Sequence, residues 1–188
     1  MVEDAWTLLG SRQVADHRIF RIRNDFYRFE PTAAERDFVV LESPDWVNVV
    51  PITDDGRVVL IHQYRHGIRE VCLEIPGGII DPHESPQEAA VRELREETGF
   101  AAERVRPLGR VAANPAFQNN YQHCFVAEGC RRTGSPRLDP FEQIDVVLVP
   151  LANVPDLIRA GQMSHALVVI AFALLGILGL DSTAHPRV

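Results

Sequence analysis

Gly78-Ile79-Ile80-Asp81-Pro82-His83-Glu84-Ser85-Pro86-Gln87-Glu88-Ala89-Ala90-Val91-Arg92-Glu93-Leu94-Arg95-Glu96-Glu97-Thr98-Gly99-Phe100 is the stretch whose reading decides the fold. Ser85 can cap a helix through its hydroxyl, Pro86 suits the first helical position, and Glu88 completes a capping box. Gly99 suits the left-handed position that ends a helix. The spacing therefore predicts a helix over 86–98, with Ala90 and Leu94 on its buried face. Glu93 and Glu97 lie one turn apart, and Glu96 sits beside them. Three crowded carboxylates repel one another, and such crowding persists where a cation neutralises it. Carboxylate oxygens are hard donors that favour Mg²⁺ or Mn²⁺, ions that commonly bridge to phosphates. Arg92 is four residues from both Glu88 and Glu96 and can brace the cluster. The preceding Pro76-Gly77-Gly78 lets backbone approach a ligand closely and offers carbonyls to a metal. A Glu-rich helix alone is ordinarily a solvated face. The weight rests on the whole spacing.

Outward from this stretch, the chain has 188 residues with 26 acidic and 19 basic side chains, a net charge of −7. All 19 basic residues are arginine. The absence of lysine excludes a P-loop and a Schiff-base mechanism. The acidity is local: residues 74–103 carry eight acids and two arginines, so nearly the whole net charge lies there. An acidic chain is a poor general binder of nucleic acid, and no nucleic-acid partner is expected. Cys72, Cys124 and Cys130 are scattered and odd in number, which predicts free thiols and a reducing, cytoplasmic setting. No signal-peptide pattern is visible at the N-terminus.

Residues 17–29 alternate charged and apolar side chains and predict a half-exposed strand; 37–44 predict another. Trp46–Ile52 and Arg57–Tyr64 are β-branched runs around Asp54-Asp55-Gly56, a strong hairpin signal. Further strands are expected at 71–75, 105–113, 121–127 and 143–149. Asn153 is placed to cap a short helix ending near Gly161, and a last helix is expected over 164–178. The apolar run Ala166–Leu180 is shorter than the about 20 residues a membrane span requires. It predicts a helix in the core or at a dimer interface, with no membrane partner. The coarse division is an N-terminal β unit over 1–45, a mixed α/β domain over 46–180, and a tail over 181–188.

The stretch Gly78–Phe100 resembles the signature of the Nudix hydrolase family: Gly, five residues, Glu, seven residues, Arg-Glu, an aliphatic, one residue, Glu-Glu, one residue, Gly and a hydrophobe. Every position matches, and the chance of this at one start position is on the order of 10⁻⁹ from residue frequencies. Beyond this box the chain resembles the ADP-ribose pyrophosphatase branch. It carries Gln63-Tyr64-Arg65 at a strand end, Glu74-Ile75-Pro76-Gly77-Gly78 leading into the box, and Pro115 sixteen residues after Gly99. Where ADP-ribose-specific members usually read Ser-Pro-Gly, this chain reads Asn114-Pro115-Ala116. Other nucleotide sugars therefore stand beside ADP-ribose as substrates.

The resemblance implies an α+β fold, an α-β-α sandwich with a mixed β-sheet between helices, plus a small N-terminal antiparallel unit that joins two copies in a homodimer. It implies metal-dependent hydrolysis of a nucleoside diphosphate sugar to a nucleoside monophosphate and a sugar phosphate. The metal ligands would be Glu93, Glu96 and Glu97 with the Gly77 carbonyl, holding Mg²⁺, with Mn²⁺ able to substitute. Glu142 occupies the place of the general base, and Glu96 and Arg92 complete the catalytic set. Arg65 is the best phosphate clamp outside the box, because guanidinium matches phosphate oxygens bidentately. Glu74 and Pro115 are counted with it as substrate contacts. Phe20, Phe26 and Tyr27 are aromatics that could stack a base, Phe20 foremost. Two other readings stand: a house-cleaning nucleoside triphosphate pyrophosphohydrolase, and a non-catalytic Nudix module that senses a nucleotide. The N-terminal extension and Pro115 argue against the first. The intact box argues against the second.

Overall fold

Period-two alternation along three strands sets the layers around the box helix. The computed structural model describes residues 2–178. Its strands are β1 (Trp6–Asp16), β2 (Arg21–Phe29), β3 (Ala34–Glu42), β4 (Trp46–Thr53), β5 (Arg57–Arg65), β6 (Glu70–Glu74), β7 (Gly77–Ile79), β8 (Phe100–Ala101), β9 (Arg104–Ala112), β10 (Tyr121–Arg132) and β11 (Ile144–Pro150). The helices are α1 (Pro86–Thr98), α2 (Val154–Arg159) and α3 (Ala166–Leu175). The tail expected at 181–188 lies outside the described residues.

The chain forms two compact units. One comprises the residues up to Trp46 together with Val111–Gln122; the other is Val47–Arg110 together with the chain from His123 on. In the first, β1, β2 and β3 form an antiparallel meander. The 111–122 segment is tied to it: Leu41 donates to the Phe117 carbonyl at 2.7 Å and Asn119 donates to the Leu41 carbonyl at 3.2 Å. Trp6 packs on Phe29 with ring centroids 4.7 Å apart and meets Phe38 edge-on at 5.6 Å.

In the second unit the eight-stranded sheet runs β11-β5-β4-β10-β8, with β6 on β5, β7 on β4 and β9 on β10. Successive residues of a strand face opposite sides. Val47, Val49, Val59, Phe125 and Ala127 therefore bury against Ala89, Ala90 and Leu94 of α1. Their neighbours Val50, Val58, Leu60, Cys124 and Val126 bury on the other face against Val154, Val168, Ala171 and Phe172 of α2 and α3. Burial of such side chains is worth about 1.5–3 kcal/mol each, and it holds a helix on both faces of the sheet.

Helix α1 spans the expected residues. Ser85 Oγ accepts from the Glu88 N–H at 3.2 Å, and Glu88 Oε2 accepts from the Ser85 N–H at 2.7 Å. Gly99 ends the helix at φ +73 and donates to the Arg95 carbonyl. A methyl at Gly99 would stand 2.9 Å from the Gly134 carbonyl carbon. Gly99→Ala thus suffers both a left-handed backbone and a backbone clash. We expect a loss of about 2 kcal/mol, measurable by urea unfolding.

Several elements differ from expectation. Residues 17–20 form the connection between β1 and β2 rather than strand, and β1 itself was not expected. Its run Trp6–Asp16 is exposed almost throughout, so no buried face imposes alternation on it. Asn153 precedes α2 but makes no side-chain cap hydrogen bond. Helix α3 is shorter than 164–178 because Gly176 turns left-handed at φ +85. Among the described residues no helix is long and apolar enough to cross a membrane.

Candidate active site

The site assembles where the turn before β7 meets α1. The Pro76 carbonyl accepts from the Val49 N–H at 2.9 Å, which fixes the turn on the sheet. The next N–H, that of Gly77, donates to Glu97 Oε2 at 2.9 Å. Glycine is required there: a methyl at Gly77 would stand 2.9 Å from Asn48 Cα. A methyl at Gly78 would stand 2.8 Å from Glu93 Cδ. The two glycines therefore let the backbone and the Glu93 and Glu97 carboxylates share one small volume.

Glu97 is 2% exposed. Burial raises its carboxyl to about 9, the Glu93 charge adds to this, the Gly77 N–H opposes it, and Glu142 adds again. Burial also pushes the Glu93 carboxyl up; Arg92 opposes that, while Glu96 and Glu142 reinforce it. These are the marks of negative charges gathered in a dry place without enough positive charge to match.

Arg92 is the brace. Its Nη1 donates to Glu93 Oε1 at 2.8 Å and Glu96 Oε2 at 3.2 Å. Its Nε and Nη2 hold Glu84 at 3.1 and 2.7 Å, and Nη2 also donates to the Ile79 carbonyl. Glu84 Oε1 in turn accepts from the Asp81 N–H at 2.8 Å. With Nε, Nη1 and Nη2 all engaged, Arg92 organises the loop and the helix.

The donor set fits a divalent cation. Glu97, buried, and Glu93, half-buried, are hard oxygen donors whose carboxyls are both pushed up by burial and by nearby negative charge, and a cation would relieve that charge. Among the described residues no three acidic, histidine or cysteine side chains already form a closed cluster.

Glu142 lies in the loop before β11, exposed, with Oε2 accepting from the Asp139 N–H at 3.3 Å. Its charge is felt at both Glu93 and Glu97. The structure thus brings Gly77, Arg92, Glu93, Glu96, Glu97 and Glu142 into one neighbourhood.

Arg65 and Glu74 form a pair on neighbouring strands. Arg65 Nε and Nη2 each donate to a Glu74 oxygen at 2.7 Å, a bidentate arrangement. Glu74 is 1% exposed, and its Oε2 also meets His165 Nδ1 at 2.9 Å. Burial pushes the Glu74 carboxyl up, but Arg65 and His165 outweigh it and hold it at about 2. The folded value lies below the unfolded one, so this contribution to stability is present above about pH 4.5 and lost as pH falls toward 2. We expect acid titration followed by circular dichroism to show this loss in the wild type and a flatter profile in Glu74→Gln.

Phe20 and Pro115 belong to the other unit. Phe20 lies between β1 and β2 beside His17, ring centroids 5.1 Å apart, in a groove that also includes Arg18, Ser43 and Asn119. Pro115 lies in the 111–122 segment, in a turn where the Asn114 carbonyl accepts from the Phe117 and Gln118 N–H groups.

Sequence reasoning missed two residues. Asn48 is 5% exposed, donates to the Leu167 carbonyl at 2.8 Å, and leaves Oδ1 without a hydrogen-bond partner among the described residues. An asparagine inside the apolar run Trp46–Ile52 was the available signal. His165 was the other, standing at the start of an apolar helix where a capping residue is ordinarily found.

A family model described as NUDIX domain matches residues 43–169. ADP compounds hydrolase NudE of Escherichia coli is 31% identical over 180 residues, 90% of either chain. ADP-ribose pyrophosphatase of Bacillus subtilis is 30% identical over 135 residues, 71% of this chain and 72% of that one. The crystal structure of an ADP compounds hydrolase superposes with a TM-score of 0.81 at 30% identity, covering 91% of this chain and 92% of the other. The mixed sheet with few helices expected from the sequence is the fold of that neighbour.

Proposed function

Since this chain belongs to the NUDIX domain family, we propose that it hydrolyses the diphosphate linkage of a nucleoside diphosphate sugar such as ADP-ribose, giving a nucleoside monophosphate and a sugar phosphate. The observation that carries this reading is the dry carboxylate pair Glu93–Glu97, with Glu97 locked to the Gly77 backbone. The relatives named for ADP-ribose and ADP compounds support the substrate class. Glu93, Glu96 and Glu97, with the Gly77 carbonyl, hold Mg²⁺, and Mn²⁺ can replace it. The bound ion supplies polarisation of a phosphoryl oxygen and a lowered pKa for bound water. Arg92 keeps Glu93 and Glu96 in register, Arg65 offers its remaining Nη1 donor to a substrate phosphate, and Glu142 takes the proton of the attacking water. Phe20, an aromatic able to stack a base, and Pro115 are further substrate contacts in this reading.

Residues 46–180 form the hydrolase domain, and 1–45 join two copies in a cytoplasmic homodimer. Exposed Leu8, Val14 and Val39 on the N-terminal sheet support that association.

A panel of ADP-ribose, ADP-glucose, GDP-mannose, UDP-glucose and deoxynucleoside triphosphates, each with Mg²⁺ or Mn²⁺, tests the reading. Release of a nucleoside monophosphate from a nucleotide sugar is the expected result. Preference for the triphosphates would replace it with the house-cleaning activity, and no turnover of any member would leave a nucleotide-sensing module.

A further inference from the structure

We infer that His165 is a positioning residue for diphosphate binding: through Glu74 it holds the Arg65 guanidinium in the orientation that leaves Nη1 open to a substrate phosphate. The inference rests on the reading that Arg65 takes such a phosphate, and it adds a residue that neither the box nor the strand-end motif contains.

The argument begins with Glu74. A carboxylate that is 1% exposed has to be matched by charge and hydrogen bonds, or it would give up its charge. Arg65 supplies two donors, one to each oxygen, at 2.7 Å. His165 Nδ1 supplies the third contact at 2.9 Å on Oε2. Because Glu74 is ionised, it can only accept, so Nδ1 carries the hydrogen and donates. The carboxylate plane is then set by two partners on different elements, β5 and the start of α3. Arg65 fixes both oxygens relative to itself, and His165 ties that pair to the start of α3; without His165 the carboxylate and guanidinium can shift together.

The consequence falls on Arg65. Its side chain is 41% exposed, in contrast to its buried partner. Nε and Nη2 are spent on Glu74, and Nη1 makes no hydrogen bond among the described residues. The Glu97 charge is felt at Arg65, which places the guanidinium within electrostatic range of the candidate active site. A guanidinium fixed at one edge by a rigid carboxylate presents the two N–H groups of Nη1 in set directions, and pre-set direction is what lowers the cost of gripping a phosphate.

The fold gives something up to place His165 there. It occupies the N-cap of α3, where Ser, Thr, Asp or Asn would satisfy a free N–H, and its side chain makes no cap hydrogen bond. That side chain is directed to Glu74 instead, 91 residues away in sequence. The same turn of α3 is pinned a second time by the Asn48 side-chain amide on the Leu167 carbonyl at 2.8 Å. Asn48 itself abuts Gly77, the residue that locks Glu97. A local rule broken with a compensating long-range contact points to a selected position.

The test uses the full-length protein and two readouts. The first is steady-state turnover of the best nucleotide sugar with Mg²⁺. The second is calorimetric binding of inorganic pyrophosphate with Mg²⁺. His165→Ala is expected to raise KM and the pyrophosphate Kd by about 5–10-fold while kcat stays within about twofold, as for loss of ground-state and transition-state binding together. His165→Asn, whose amide can reach the place of Nδ1, is expected to restore both. Arg65→Ala is expected to weaken binding at least as much, and His165→Ala added to it to weaken binding no further, as for residues acting through one another. Additive effects overturn the inference, as does an Asn variant no better than Ala. So does a wild type that binds no pyrophosphate. If pyrophosphate binding shows the coupling but no nucleotide sugar is turned over, the proposed activity fails and the role of His165 stands.

Discussion

Glu97→Gln is expected to lower kcat by at least about 10²-fold while the protein remains folded, because a carboxylate proposed to anchor a catalytic cation is lost. The substitution keeps the volume and keeps an oxygen for the Gly77 N–H, so the 2.9 Å lock on the turn survives. It removes only the negative charge. In the cation-free protein that charge is unwelcome: burial holds the Glu97 carboxyl at about 9, well above its unfolded value. A raised acid contributes stability that is full below about pH 4.5 and is lost as pH rises through about 9. The melting temperature of the chelator-treated wild type should therefore fall from pH 6 to pH 9, and Glu97→Gln should flatten that fall. Adding Mg²⁺ should raise the wild-type value, more at pH 8 than at pH 6, because the cation competes with the proton for the same oxygens. A Gln variant with full kcat would remove Glu97 from the metal site.

The adjacent glycines should separate stability from activity. Gly77→Ala drives a methyl into the backbone of β4, with Asn48 Cα 2.9 Å away and the Val47 carbonyl closer still. Neither can retreat without breaking the sheet, so we expect a stability loss of about 3 kcal/mol or failure to fold, as for an overpacked core. Gly78→Ala meets only the end of a flexible side chain, the Glu93 carboxylate. That carboxylate can swing aside. We expect less than about 1 kcal/mol of destabilisation and a kcat loss of about 10²-fold, because the displaced oxygens are those proposed to hold the cation. Thermal unfolding and turnover measured on both variants check this. Equal behaviour of the two would contradict the arrangement of the glycines.

Much of this molecule was legible in the chain itself, and for local reasons. Ser85, Pro86, Glu88 and Gly99 specify both ends of α1 through capping and turn chemistry, interactions confined to a few residues. Asp54-Asp55-Gly56 specified the β4–β5 hairpin; Gly56 adopts φ +78, and its N–H donates to the Thr53 carbonyl. The β-branched runs of β4 and β5 declared strands, and the structure shows them buried almost continuously because a helix covers each face of the sheet. Strand β1 was not legible, because with nearly every residue exposed it carries no hydrophobic period. The site shows the same division. Glu93, Glu96, Glu97 and Arg92 share a helix, so their spacing alone places them together.

The sequence by itself determined the box helix, the two glycines before it, and the concentration of charge that asks for a cation, since each depends on contacts within one turn or one loop. Only the tertiary structure decided how that charge is handled. It showed that Gly77 locks Glu97, that Glu142 is felt from a loop some fifty residues on, and that His165 reaches back 91 residues to the buried Glu74–Arg65 pair. Burial is a property of the packed molecule, and burial is what lifts Glu97 to about 9 while the partners of Glu74 hold it near 2. Two glutamates of the same chemistry are driven apart by their surroundings, and no count of residues along the chain contains those surroundings.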